Sequence, residues 1–145
     1  MGYSIYRGDV DELEGKPPVG DGECVALPQK LTSVGVTLGW RPGPRVVDLL
    51  YLNPGTVIAN FVFDKKGLGR FPNRHGYHAA LFVGFGTRND KGRASSIVAM
   101  DQWRFRTPNT IHKRSIYARG DKSHAEGNAY NDADNALHYY VVVSG

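Results

Sequence analysis

Residues 76–103 read GYHAALFVGFGTRNDKGRASSIVAMDQW, two apolar runs around a polar loop that holds Asn89, Asp90 and Gly92. Short apolar runs bounded by turn residues predict two antiparallel strands joined as a hairpin with a long tip over Thr87–Ala94. Side chains alternate along a strand, so His78, Ala80 and Phe82 share one face and Ala79, Leu81 and Val83 share the other. The hairpin sets the end of the second strand, Asp101, near the start of the first, His78. A register slip of one residue would put Gln102 there instead. Trp103 follows, positioned to cover an imidazole from water.

Working outward, the same short-run pattern recurs from Trp40 onward. RVVDLLYL (45–52) precedes the turn Asn53-Pro54-Gly55, TVIANFVF (56–63) follows it, and LHYYVVV (137–143) lies near the carboxyl end. With the hairpin these give four or five strands. The amino-terminal side differs. Residues 1–20 are polar and run into GKPPVGDG (15–22), whose prolines and glycines predict an extended arm. ECVALPQKL (23–31) is the one good helix start, with Asp21 or Glu23 available to accept first-turn amide hydrogen bonds. Pro28 removes a backbone donor, which predicts a short or kinked helix ending by Gly35. The expected fold is α+β: one domain over residues 1–145, with an amino-terminal helix carrying Cys24 on a mostly antiparallel sheet of 4–6 strands.

At 145 residues and 16.0 kDa, with 41% hydrophobic residues, the chain fits one domain whose core needs no staple. The single cysteine excludes an intramolecular disulfide framework and a cysteine-based zinc cluster. No apolar run reaches membrane-spanning length, and the start MGYSIYRGDVDELEG lacks the pattern of a cleaved signal, so the chain is expected to be soluble as made and to leave the cytoplasm, if it does, by another route. Tyr6 stands where a myristoylation motif needs Ser or Thr. The net charge of +4 is uneven: residues 41–119 carry +10, and each flank carries −3. That middle could steer the chain toward an anionic partner, or be an ordinary solvated arginine-rich surface.

Cys24 has two readings, a small buried hydrophobe or a reactive thiol. A helix start favours the thiolate, the adjacent Glu23 opposes it, and a base is therefore needed. His78, preceded by the bulky Tyr77, is the candidate, and Asp101 would fix its tautomer. Gln102, Trp103 and Tyr77 are auxiliary candidates. His75 falls on the opposite strand face from His78, so the two do not suggest a metal pair. His112, His124 and His138 suit surface or core-edge roles. SHAEGNAYNDADN (123–135) suits a mobile or weakly calcium-binding loop but lacks the spacing of an EF-hand.

The order GDGECVAL, LNPGTVIANFVF, GYHAALFVGF and IVAMDQW resembles the papain-like amidases of the NlpC and CHAP type, which cleave amide bonds in bacterial peptidoglycan. Glu23-Cys24-Val25-Ala26 departs from the Asp-Cys-Ser-Gly usual in NlpC sequences and is closer to the CHAP form. The short chain further resembles small amidase effectors delivered between bacteria by type VI secretion. The resemblance implies Cys24 as nucleophile, His78 as base and Asp101 as orienting residue, acting through a thioester on a peptidoglycan peptide. It implies no cofactor or metal, a monomer with no specific nucleic acid or membrane partner, a cognate inhibitor (immunity) protein, and action in the periplasm or cell wall. Two other classes stay open: a cysteine hydrolase or acyltransferase on another amide or ester, and a non-catalytic domain binding an anionic polymer or nucleic acid through the basic middle, Trp40, Tyr77 and Trp103.

Overall fold

The computed structural model describes residues 2–144. Its strands are β1 (Gly2–Tyr3), β2 (Arg41–Arg45), β3 (Val57–Ala59), β4 (Val62–Phe63), β5 (Gly69–Arg70), β6 (Ala79–Phe85), β7 (Ser96–Asp101), β8 (His112–Tyr117) and β9 (Tyr140–Ser144). Seven of them form one antiparallel sheet in the order β1-β9-β3-β6-β7-β8, with β2 also on β9, while β4 and β5 make a separate small hairpin. The seven strands exceed the expected four to six. The additions are β1, contributed by the amino-terminal arm, and β8. In HKRSIY (112–117) charged residues mask the alternation: His112 and Ile116 are buried and Arg114 is half-buried, whereas Lys113, Ser115 and Tyr117 are exposed.

The hairpin of residues 76–103 forms as expected. Leu81 pairs with Met100 and Phe82 with Ala99, and a bulge beyond Phe82 shifts the register so that Gly84 faces Val98. The run 45–52 is not a strand. It forms a 3-10 turn over Val46–Asp48 that buries both valines, after which Leu50 and Tyr51 stand exposed with no sheet face to cover them. The strand lies just upstream, in β2, whose Pro42 and Pro44 cannot donate to a ladder and so suit a strand paired on a single side.

The helix α1 (Ala26–Leu31) has six residues, and Cys24 precedes it rather than occupying its first turn. Pro28 stands third in the helix, where its missing N–H would have had no intrahelical acceptor anyway. Neither acid caps α1 as expected: Asp21 Oδ1 accepts from Glu23 N–H within the preceding turn, and Glu23 turns to Arg104. The helix stops at Thr32, whose backbone is extended and whose N–H and hydroxyl both donate to the Pro28 carbonyl.

Alternation gives the sheet two apolar faces. Ala59, Ala79, Leu81 and Met100 pack with Leu27 of α1, Val34 and Trp40. Ile58, Ala80, Phe82, Ile97, Ala99 and Ile116 pack on the other face with Ala136, Leu137 and Tyr139. The segment SHAEGNAYNDADN is therefore not a free loop. It folds into 3-10 turns, with a Ser123–Glu126 capping box and Asp132 accepting from His124 N–H, and leads into the residues that cover this second face. No helix among the described residues is long and apolar enough to cross a membrane.

Candidate active site

One end of the sheet, where β6 begins and β7 finishes, gathers the chemistry. The β3 to β6 ladder places Ala59 opposite Ala79, and it extends one step further because Asn60 N–H donates to the His78 carbonyl and His78 N–H donates to Asn60 Oδ1. His78 thus enters on the face of Ala80 and Phe82, and Asp101 lies on the same face with Ile97 and Ala99. His78 Nε2 and Asp101 Oδ2 are 2.7 Å apart. Asp101 takes Nε2, and Cys24, which lines the same cleft as His78, is close enough for its interaction to raise the imidazole's pKa. Cys24 comes from the helix side. It packs at the edge of the first apolar face and meets the imidazole at the end of the strands.

The turn that delivers Cys24 depends on GDG. Gly20 and Gly22 both have left-handed backbones, with φ of 59° and 86°. A Cβ on Gly20 would also sit 2.9 Å from Ala26 Cβ. Gln102 holds the turn from the sheet side: its amide nitrogen donates to the Val19 and Glu23 carbonyls at 3.0 and 2.9 Å, and its oxygen accepts from Val19 N–H at 2.9 Å. The observed register thus points Asp101 at His78 and Gln102 at the Cys24 turn. Gln102→Ala should cost about 2–3 kcal/mol from three lost hydrogen bonds and slow thiol alkylation at Cys24. Thermal unfolding and labelling kinetics check both outcomes.

Burial by itself would lower the pKa of His78, but the hydrogen bonds and negative charge of Asp101 and Cys24 override it and raise the value to about 9. Burial acts on Asp101 in the opposite sense. The contacts of His112, His78 and Arg114 prevail over it and hold this carboxyl well below the usual carboxylate range. Arg114 Nε lies 2.7 Å from Oδ2, and His112 Nε2 lies 2.9 Å from Oδ1, at ion-pair distance but off the hydrogen-bonding line. Trp103 packs edge-on to both imidazoles, with centroids 5.8 Å from His78 and 4.8 Å from His112.

His78, Trp103 and Arg114 open onto a cleft of about 730 Å³, while Asp101 and His112 lie behind it. Cys24 and His78 line it together with Tyr77, Trp103, Asn131, Ala133 and Asp134. Tyr77 carries the Arg74 guanidinium over its ring at 5.3 Å. The expected set Cys24, His78, Asp101, Gln102, Trp103 and Tyr77 therefore converges. Asn60, His112 and Arg114 are additional. His112 was expected only in a surface or core-edge role, yet it is buried opposite Asp101, and the signal for it was the inward alternation of a strand the charges concealed. Asn60 fixes His78 from one side and donates to the Asp132 and His138 carbonyls from the other. No group of three or more His, Cys, Asp or Glu side chains among the described residues is placed to hold a metal ion.

The basic middle of the sequence is partly neutralised by the fold. Arg93 meets Asp48 and Asp121, Arg104 meets Asp21 and Glu23, and Arg114 meets Asp101 and Asp134, so the acidic flanks fold back onto it.

No family model matches the chain. It is 34% identical over 127 residues to a type VI secretion amidase effector 2 protein of Salmonella typhi, across 83% of the chain and 84% of that relative. Its structure is similar to that of a solved type 6 secretion amidase effector 2 (Tae2), with a TM-score of 0.79 and 30% identity over 97% of the chain and 94% of that structure.

Proposed function

Because this chain belongs to the type VI secretion amidase effector 2 family, we propose that it is a cysteine amidase that cleaves a peptide bond of bacterial peptidoglycan through a thioester. The observation that carries this reading is that Cys24 and His78 line one cleft, with Asp101 buried behind the ring on His78 Nε2 at 2.7 Å. In this mechanism the one proton that Cys24 and His78 share sits on the imidazole as the sulfur attacks the amide carbonyl. His78 then returns the proton to the leaving amine, and a water that His78 deprotonates hydrolyses the thioester. Asp101 keeps the ring oriented and stabilises its charged form. The Cys24 backbone N–H is one donor to the oxyanion. In this order of residues the site is papain-like, with a short turn and a six-residue helix presenting the nucleophile. The protein is an antibacterial effector exported by type VI secretion and held in check in its producer by an inhibitor protein.

Digestion of purified sacculi with identification of the released fragments by mass spectrometry tests this reading. A new free amine and carboxyl at one stem-peptide or cross-link bond is expected. Intact peptides, with release of another acyl product from an ester or amide panel, would replace the wall amidase with a different cysteine hydrolase.

The pH dependence follows from His78. Its proton is needed by the leaving amine and is lost as pH rises through about 9, so kcat/KM should fall on an alkaline limb near that value. Stability follows the same proton. The folded state binds it more tightly than the unfolded chain does, so this contribution is complete below about 6.5 and disappears as pH passes about 9. Asp101 stays ionised throughout the range in which activity is measured. A flat alkaline profile to pH 10 would remove His78 from the proton-transfer role.

A further inference from the structure

We propose that His112 is a positioning residue of this site that fixes the rotation of the Asp101 carboxylate and so aims Oδ2 at His78. The proposal rests on the Cys24, His78 and Asp101 reading above and adds a residue outside the cleft to it.

The register of β7 and β8 sets Asp101 directly opposite His112, so both side chains enter the same face. His112 Nε2 lies 2.9 Å from Oδ1, and neither atom has a hydrogen-bond partner among the described residues. Each is therefore served only by this ion-pair contact. The other ring nitrogen, Nδ1, is 3.2 Å from the Thr110 carbonyl oxygen. A carbonyl and an ionised carboxylate can only accept, so His112 completes both contacts when it carries a proton on each nitrogen.

The remaining oxygen explains why this contact matters. Oδ2 receives both His78 Nε2 and Arg114 Nε at 2.7 Å. Rotation of the carboxylate about Cβ–Cγ would carry Oδ2 away from both donors, and at this oxygen only those two hydrogen bonds resist it. The ion-pair contact on Oδ1 resists the same rotation from the other side of the group. The groups facing His112 are Asp101 from β7, Trp103 beyond it, the Thr110 carbonyl before β8 and, on its own strand, Arg114 directed at the same carboxylate. Arg106 lies across the Trp103 ring at 4.9 Å, and His78 approaches that ring edge-on. Among these charged groups Asp101 alone is negative, so the arrangement converges on it. His112 does not line the cleft, so its removal should act on the catalytic step rather than on substrate binding.

Two variants separate positioning from packing. His112→Phe keeps a ring against Trp103 and loses both N–H groups, whereas His112→Gln loses the ring and offers an amide N–H toward Oδ1. Hydrolysis of peptidoglycan fragments and alkylation of Cys24 by iodoacetamide are followed across pH 5–10, with thermal unfolding as the check on folding. His112→Phe is expected to lose about tenfold or more in kcat at unchanged KM. Its alkaline limb should also move down from about 9 as His78 loses its fixed partner. His112→Gln should recover most of both. Wild-type kcat and an unmoved limb in His112→Phe, or a loss in His112→Gln that His112→Phe does not share, overturns the proposal in favour of packing. If His112→Phe does not fold, His112→Gln decides, a near wild-type limb supporting positioning and a collapsed one opposing it. Cys24→Ala, assayed in parallel, keeps the two levels apart. An active Cys24→Ala protein removes the dyad itself, whereas an inactive one beside a normal His112→Phe removes only this proposal.

Discussion

Cys24→Ala is expected to lower hydrolysis of peptidoglycan by at least about 10⁴-fold, the scale seen when a covalent nucleophile is deleted, with the chain still folded. Both halves of that expectation come from where the residue sits. Cys24 is half-buried at the edge of the first apolar face, so alanine removes one sulfur from a partly open position and leaves no closed cavity. The backbone of the turn is held independently of the side chain, by Gln102 on Val19 and Glu23 and by Arg104 on the Asp21 carbonyl. His78 would keep Asp101 on Nε2 but lose the hydrogen bond and charge of the thiol. Cys24→Ser should be nearly as inactive, since a hydroxyl gives up its proton to an imidazole far less readily than a thiol does. Fragment release from sacculi and unfolding curves measured on the same preparations check this. A folded Cys24→Ala protein that digests the wall at the wild-type rate would show that the bond is broken without a thioester.

The residues of this site were legible in the sequence to the degree that they lie on regular, apolar-patterned strands. His78 and Asp101 frame a hairpin whose two runs are long and whose loop has turn residues, so their approach followed from strand alternation alone. Gln102 was legible only as the other outcome of register. The bulge beyond Phe82 shifts the upper half of the ladder, and no pattern in YHAALFVGF or SSIVAMDQW announces it. Alternation then separates Asp101 and Gln102 onto opposite sides, one toward the imidazole and one toward the Cys24 turn. The short helix that Pro28 implies is present and ends before Gly35, but it begins at Ala26, so Cys24 lies in the turn before it rather than in its first turn. The strand β8 was missed altogether: His112 and Arg114 are polar yet face inward, because Asp101 is there to receive them. A buried charge and its partners mask the hydrophobic period that reveals a strand, so the functional end of the sheet is where pattern reading fails first.

Removing Asp101 should have two effects of different origin, and the choice of substitution separates them. Asp101 is fully buried and meets His78, His112 and Arg114. Asp101→Ala leaves these groups facing one another without their anion, and loss of one partner from a buried charge network costs about 3–5 kcal/mol. Against a total of about 5–15 kcal/mol for a domain of this kind, that is enough to lower the unfolding midpoint sharply and confound any rate measurement. Asp101→Asn keeps the shape. Its oxygen can occupy the place of Oδ2 and accept from His78 Nε2 and Arg114 Nε, and its nitrogen then faces His112 Nε2, which accepts if that ring keeps its proton on Nδ1 toward Thr110. The geometry survives and the charge does not. His78 then loses the Coulombic part of what holds its pKa near 9, so the alkaline limb should move down. The rate should fall by about 10²–10⁴-fold, the range over which an orienting carboxylate acts. Unfolding midpoints of Asp101→Ala and Asp101→Asn, with pH profiles of the latter, distinguish the effects. An Asp101→Asn protein with wild-type kcat and an unmoved limb would mean that the carboxylate serves only to neutralise Arg114 and His112, and that His78 is oriented by Asn60 and Trp103 instead.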